Sequence, residues 1–397
     1  MVSGAGPLAG IRVLDLGSYI AGPYGSALLA DLGADVLKIE SPDGDQLRQY
    51  PSTLPRQAAS ESRAFLGVNR GKRGLVLDLK RPQAQQVLRR LARQADVLIH
   101  SLRPSVPARL GIGYEQLKPE NPRLIYCALS GYGERGPLRD KPGYDQVLQG
   151  FTGICTFQGA QRGNPEIVLG SVVDFYAAAL IAYGVAAALF HRQRSGAGEY
   201  VRVSLLQAAL AMQAQRFIWA EGEEPGVERD MRSGGVTGIY PAREGHIYVS
   251  ANTPHFWQAL CAALELPELA SDARYDTIRK RAGRAAEILP KVRAAFLSRT
   301  ALEWEARLGE RVPCSAIRPI EAMFDHPQVA GNGWVREYEH PVAGRYRGLA
   351  SPLEFSASPP EPARAAPALG EHTREILREG GFSDDEIEQL FAADCVR

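Results

Sequence analysis

The stretch Leu169-Gly170-Ser171-Val172-Val173-Asp174 places one carboxylate at the mouth of the apolar, Ala-rich run Phe175 to Phe190. An aspartate there can cap the helix, because its oxygen accepts a bond from the first unpaired amides. It can also do chemistry, since the same helix end favours negative charge and so the ionised form a nucleophile needs. Taken alone, these residues leave cap and nucleophile open.

Basic residues recur at strand ends. Asn69-Arg70-Gly71-Lys72-Arg73-Gly74 precedes the apolar Leu75 to Leu79 and Lys80-Arg81, and Arg103-Pro104 and Arg109 follow the strand-like Ala95 to Ile99. The first group admits two readings, an anion-binding corner or a solvated loop. Ligands gather at the carboxyl ends of strands in doubly wound sheets, so cations at two such ends point to a phosphate-rich ligand. Gly17, Gly22 and Gly25 miss the G-x-G-x-x-G spacing, and Glu40, placed where a ribose-binding acid would sit, does not by itself support a dinucleotide.

The elements that must position these groups alternate strand and helix. Ile11 to Leu16 reads as a strand, Pro23 opens a helix that stops at Gly33, and Ala34 to Glu40 resumes as a strand. Further buried strands are expected at Leu75–Leu79, Ala95–Ile99, Leu124–Leu129 and Glu199–Ser204, with a second Ala-rich helix from Leu205 to about Ala220 as the mate of the Asp174 helix. A charged, Pro- and Gly-containing linker at Glu221–Glu228 marks a domain boundary, and the Pro-rich stretch Pro341–Pro367 reads as an extended connector before a final amphipathic helix pair.

Bulk composition narrows the function. A chain of 397 residues with formal charge +1 fits about two domains and has no net field for nucleic acid or an acidic membrane. The five cysteines are scattered without C-x-x-C spacing, which suits free thiols and no metal site. The run Phe175–Phe190 falls short of the roughly 20 residues of a bilayer span. No signal-peptide pattern opens the sequence. A cytoplasmic enzyme or binding protein is expected.

In order along the chain, several segments resemble the class III coenzyme A transferase family, whose branches include formyl-CoA transferase-like enzymes. They are Val13-Leu14-Asp15-Leu16 with Ala21-Gly22-Pro23, Leu32 to Glu40 with Gly44-Asp45, Asn69-Arg70-Gly71-Lys72-Arg73 with Leu77-Asp78-Leu79-Lys80, Arg103-Pro104 with Arg109-Leu110-Gly111, Asn121 to Tyr126, Pro142-Gly143-Tyr144-Asp145, Asp174 and Leu369 to Thr373. The resemblance implies an α/β fold with a Rossmann-like large domain (1–222), a smaller inserted α+β domain (223–335) and a connector and C-terminal return (336–397), in an interlocked homodimer.

It further implies that Asp174 attacks the thioester of an acyl-CoA, passing through an aspartyl anhydride and an aspartyl-CoA thioester before CoA moves to an acceptor acid. No tightly bound cofactor is implied; coenzyme A arrives as substrate. By position Ile20, Ala21, Leu77, Lys80, Arg103 and Arg109 fall on CoA-binding places, Gly234 and Gly235 on a glycine-rich covering loop, and Arg48 and Tyr144 on places that could face the acceptor. Ser101-Leu102 stands where the family usually has Asn-Phe, and Ile20 where the oxalate branch has glutamine. The first departure bears on the CoA contact; Ile20, together with the departure of Ser233–Gly238 from the oxalate branch's all-glycine run, argues against oxalate or formate, and the resemblance then implies succinyl-CoA as donor and a dicarboxylate such as itaconate, mesaconate or citramalate as acceptor. The alternatives are a 2-methylacyl-CoA racemase of the same fold and a non-catalytic CoA-binding protein. The racemase branch carries Gly-His-Asp where this chain has Gly143-Tyr144-Asp145, and a phenol with a pKa of about 10 is a poor base at neutral pH.

Overall fold

A computed structural model describes residues 5–51, 54, 61–160, 163–224, 236–360 and 364–397. Gly234 and Gly235 lie outside the described residues. Two compact units form, one from Met1–Trp219 with Gln328–Arg397 and one from Ala220–Pro327.

In the first unit strands alternate with helices: β1 (Arg12–Leu16), α1 (Ala21–Ala30), β2 (Asp35–Glu40), α2 (Arg63–Val68), β3 (Lys72–Val76), α3 (Pro82–Gln94), β4 (Val97–His100), α4 (Val106–Arg109), α5 (Tyr114–Leu117), β5 (Ile125–Ser130), α6 (Asp145–Phe151), α7 (Ile154–Gln158), α8 (Val172–Ser195), β6 (Tyr200–Ser204) and α9 (Leu205–Ala211). The six strands pair in parallel in the order β3-β2-β1-β4-β5-β6. Both faces of the sheet are covered, so the two-residue side-chain period divides each strand between two cores. Val13, Ile99 and Cys127 join the core under α1 and α8, while Leu14, Leu98 and Tyr126 join the core under α3.

Helix α1 lies close against α8 because Gly25 has no side chain: a Cβ there would meet Ile181 at 2.9 Å. The strand order reverses between β1 and β4, and that reversal opens a crevice at the strands' carboxyl ends.

The second unit has a three-stranded antiparallel sheet of β7 (Gly238–Pro241), β8 (His246–Val249) and β9 (Cys314–Ala316). Packed with it are α10 (Pro254–Ala263), α11 (Pro267–Ser271), α12 (Ile278–Gly283), α13 (Ala285–Phe296) and α14 (Ala301–Leu308). Its core centres on the buried Trp257, Phe296 and Trp304.

After α15 (Pro327–Gly331), the stretch expected to be an extended connector instead begins with a hairpin, β10 (Val335–His340) and β11 (Gly344–Leu349). Its cross-strand pairs are Glu337 with Arg347, Glu339 with Arg345, and Tyr338 with Tyr346, whose rings stack at 5.2 Å. The chain then returns to the first unit as α16 (Thr373–Glu379) and α17 (Asp384–Ala392), burying Ile376, Leu377 and Ile387 in the α3-side core. The tail pairs with the end of β3: Asp78 N–H donates to Cys395 O at 3.0 Å, and Leu77 bridges Val396.

The basic group at 69–74 is not an anion-binding corner. Arg70 pairs with Asp31, Lys72 with Asp15 at 2.8 Å, and Arg73 with Asp35, Glu375 and Glu379 at 2.6–2.8 Å. Lys72 and Arg73 lie on β3 itself, so their charges are spent on holding strands and the C-terminal helix. The Ala-rich helix expected to run to about Ala220 stops at Ala211, where successive turns replace it.

Candidate active site

Three loops meet at the crevice, each leaving the carboxyl end of a neighbouring strand: Gly17–Ile20 after β1, Ser101–Pro104 after β4 and Gly131–Tyr144 after β5. With the first turn of α8 they enclose a cavity of about 170 Å³ whose wall includes Ile20, Ala21, Arg103, Lys141, Tyr144 and Asp174. The loops are tied together by side chains. Ser18 N–H donates to Ser101 Oγ at 2.9 Å across the reversal, and the Tyr19 and Tyr144 rings meet edge to face at 5.3 Å. Tyr19 holds a left-handed φ of 62°.

Asp174 is not the cap of α8. That place belongs to Ser171, itself left-handed with φ 55°, and Asp174 stands in the first turn. The helix amides are taken by another acid: Val173 N–H and Asp174 N–H donate to Asp145 Oδ2 at 2.7 and 3.2 Å. Burial, aided by the charge of Asp145, pushes the Asp174 carboxyl up to about 7. The expectation that the helix mouth holds Asp174 fully ionised is therefore corrected: the dipole is answered by Asp145, and desolvation dominates at Asp174. A half-buried carboxylate in a pocket of mixed polar and apolar wall, with no cap to make, is suited to attack an electrophile.

The arrangement is thus a carboxylate set at a strand-end crevice with cations at its rim, and its chain-wide likeness to known proteins is decisive. The family model for CoA-transferase family III matches residues 8–373. The chain belongs to this family. It is 32% identical to the succinate–glutarate CoA-transferase of Agrobacterium fabrum, over 94% of this chain and 95% of that one. It is 32% identical to the succinyl-CoA:mesaconate CoA-transferase of Haloarcula marismortui, over 95% of this chain and 97% of that one. Among solved structures, Rv3272 of Mycobacterium tuberculosis superposes with a TM-score of 0.82 at 32% identity, covering 94% of this chain and all of that one. The protein is a CoA transferase acting on CoA thioesters.

Within this family III fold, a second cavity of about 360 Å³ adjoins the first, sharing Ser18 and Leu102 with it, and Leu77 and Lys80 line it. The structure thus gathers Ile20, Ala21, Arg103, Tyr144 and Asp174 at one cavity and Leu77 and Lys80 at its neighbour. Arg109 lines neither; its neighbour Leu110 does. Arg48 lines neither and is fully engaged: it donates to Glu40 at 2.8 Å, to Glu61 at 2.9 Å and to Pro367 O at 2.9 Å, and its guanidinium lies 3.6 Å from the Phe65 ring centroid. Glu40, where a ribose-binding acid would stand, is buried in that same network.

Sequence reasoning missed Asp145 in this role, although the motif containing it was quoted; an acid at the start of α6 reads locally as that helix's own first-turn charge. It also missed His100. Burial holds this imidazole down to about 4, so it is neutral, and its Nδ1 accepts Leu102 N–H at 3.2 Å, shaping the turn that presents Arg103. Among the described residues no cluster of His, Cys, Asp and Glu could hold a metal ion.

Proposed function

We propose that the protein transfers CoA from succinyl-CoA to a dicarboxylic acid, with Asp174 as the nucleophile. The observation that carries the reading is Asp174 in the wall of the strand-end cavity, its helix amides already satisfied by Asp145. The Asp174 carboxylate attacks the thioester carbonyl; the C–S bond breaks and CoA leaves as thiolate, giving a mixed anhydride. The thiolate then attacks the aspartyl carbonyl, releasing the donor carboxylate and leaving CoA on Asp174 as a thioester. An acceptor carboxylate repeats the two steps in reverse. Water must be kept out, because hydrolysis would destroy either intermediate.

The dicarboxylate class is supported by relatives named for glutarate and mesaconate and by two further cations, Arg139 and Lys141, in the wall beside Asp174. Incubation with succinyl-CoA is expected to add a CoA adduct to the Asp174 peptide, seen by mass spectrometry, and a panel of acids should discharge it selectively. An unlabelled Asp174, or adduct on another residue, would overturn the assignment. Exchange of the α-proton of a 2-methylacyl-CoA with no acceptor present would favour the racemase instead.

Arg103 and Lys80 border the two adjoining cavities and are assigned to the CoA phosphates. Replacing either with Ala is expected to raise KM for the acyl-CoA about tenfold, the worth of one charge-assisted contact, with kcat nearly unchanged. The effect should shrink as salt is raised.

Two copies are assigned to the working unit. Helix α8 is apolar on every side, and it is long and apolar enough to cross a membrane by length and composition alone. Its inner face packs in the core through Val173, Ala177, Ile181 and Val185, whereas Phe175, Tyr183 and Phe190 are 39%, 73% and 64% exposed along one outer stripe. An unpartnered apolar stripe of this kind marks an interface. The double substitution Tyr183→Glu with Phe190→Glu is expected to convert the dimer to monomer in sedimentation analysis; an unaltered mass would remove the stripe from the interface.

A further inference from the structure

Asp145 opens α6, yet its carboxylate serves another helix. At 2% exposure it is buried. Oδ2 takes two of the first-turn amides of α8, Val173 N–H at 2.7 Å and Asp174 N–H at 3.2 Å, and Oδ1 accepts from the buried Gln149 Nε2. Gln149 in turn grips the segment leading into α8, donating to Val168 O at 2.9 Å and accepting Val168 N–H at 2.9 Å. Three residues on, Ser171 is in the left-handed region, which costs a non-glycine residue roughly 1–2 kcal/mol and persists only where the surroundings enforce it. Asp145 and Gln149 are those surroundings.

We propose that Asp145 is a positioning residue for CoA transfer: by occupying the amides at the start of α8 it denies them to the Asp174 side chain, which is left facing the cavity. This rests on the reading of Asp174 as nucleophile. An aspartate in the first turn of a helix ordinarily folds back on those amides, and a carboxylate accepting two of them is strongly acidic and a poor nucleophile. Among the described residues the Asp174 side chain makes no hydrogen bond of its own. The groups that face it are few. Tyr19, Arg103, Arg139, Lys141 and Tyr144 line its cavity, and Asp145 lies beneath it. Of the other elements packed against α8, α1 carries Tyr24 and no charge, α9 and β5 carry no charge, and β6 carries Tyr200 and Arg202, the latter paired with Glu134 at 2.7 Å.

The test is Asp145→Asn in the full chain, with single-turnover formation of the Asp174–CoA adduct from succinyl-CoA followed by mass spectrometry between pH 5 and 9, beside thermal denaturation. The expected result is an acid limb that moves to lower pH from its position near 7 in the parent, together with a roughly tenfold or greater fall in the limiting rate. Asp145→Glu, which keeps the charge but adds a methylene that displaces the carboxylate from the two amides, is expected to lower the rate while leaving the limb in place; it also covers an Asn variant that does not fold. An Asn variant with the parent's limb, or a Glu variant with the parent's rate, would make Asp145 a structural cap only. A parent that forms no adduct on Asp174 overturns the nucleophile reading, and this proposal with it, before either variant is compared.

Discussion

Asp174→Asn is expected to abolish CoA transfer, with a loss of about 10⁴-fold or more in kcat, the scale seen when a covalent nucleophile is removed. The same substitution is expected to make the protein more stable at alkaline pH. Burial and the neighbouring Asp145 charge lift the Asp174 carboxyl to about 7, whereas in the unfolded chain it titrates near its ordinary 3.8. Between those values the folded state holds the extra proton, so stability falls as pH rises through that window. Asparagine has no charge to desolvate. After allowance for solvent reaching the pocket, the variant should exceed the parent by about 1–2 kcal/mol at pH 8 and match it near pH 4. Denaturant titrations of both proteins across that range check this. A gap that stays constant with pH would mean that the carboxylate is not strained by its setting. Activity and stability oppose each other at this position because the uncompensated carboxylate that costs the fold is the one that reacts.

How far the sequence spoke for itself depended on the range of the interaction. Strands β1, β2, β4 and β5 were legible as short apolar runs, whereas β3, expected at Leu75–Leu79, lies at Lys72–Val76, because its first residues are charges paired with distant acids. Asp174 was legible as a candidate because it stands before a helix whose composition is unmistakable. Asp145 was not: its partners lie 28 and 29 positions away, and no local period encodes them. The charges at 69–74 misled for the same reason, since the acids that neutralise Arg73 include Glu375 and Glu379, three hundred residues later. The hairpin of β10 and β11 was hidden by its chemistry. Its strands are held by Glu–Arg and Tyr–Tyr pairs rather than by apolar alternation, so they read as a polar connector. Ile20, Ala21 and Arg103 came together with Asp174 through the parallel register of β1 and β4, which places Leu16 beside His100 and so sets their following loops side by side.

Lys72→Met is expected to destabilise the first unit by about 3–5 kcal/mol, the cost of leaving a buried charge without its partner. Lys72 Nζ is fully buried on β3, where its three protons go to Asp15 Oδ2 at 2.8 Å, Asn69 Oδ1 at 2.8 Å and Pro23 O at 2.7 Å. Asp15 is equally buried. Burial alone would push its carboxyl up, but the Lys72 and Lys38 charges outweigh that and hold it below the usual range. Its other oxygen accepts Gly17 N–H at 2.8 Å, and Lys38, paired with Asp45 at 2.9 Å, also donates to Gly17 O. The buried ions therefore grip both sides of the peptide at Gly17, and Asp45 Oδ1 takes Tyr19 N–H at 3.2 Å, so the loop carrying Ile20 to the cavity is fixed from below. Loss of Lys72 should raise KM for the acyl-CoA as well as lower the denaturation midpoint, although Lys72 lines neither cavity. Replacing both ions, Asp15→Leu with Lys72→Met, should recover much of the stability, since an apolar pair of similar volume can replace a buried ion pair at little cost. It should not recover KM, because no group then holds Gly17 N–H. A double variant that regains both would show that the ion pair serves the fold and not the loop.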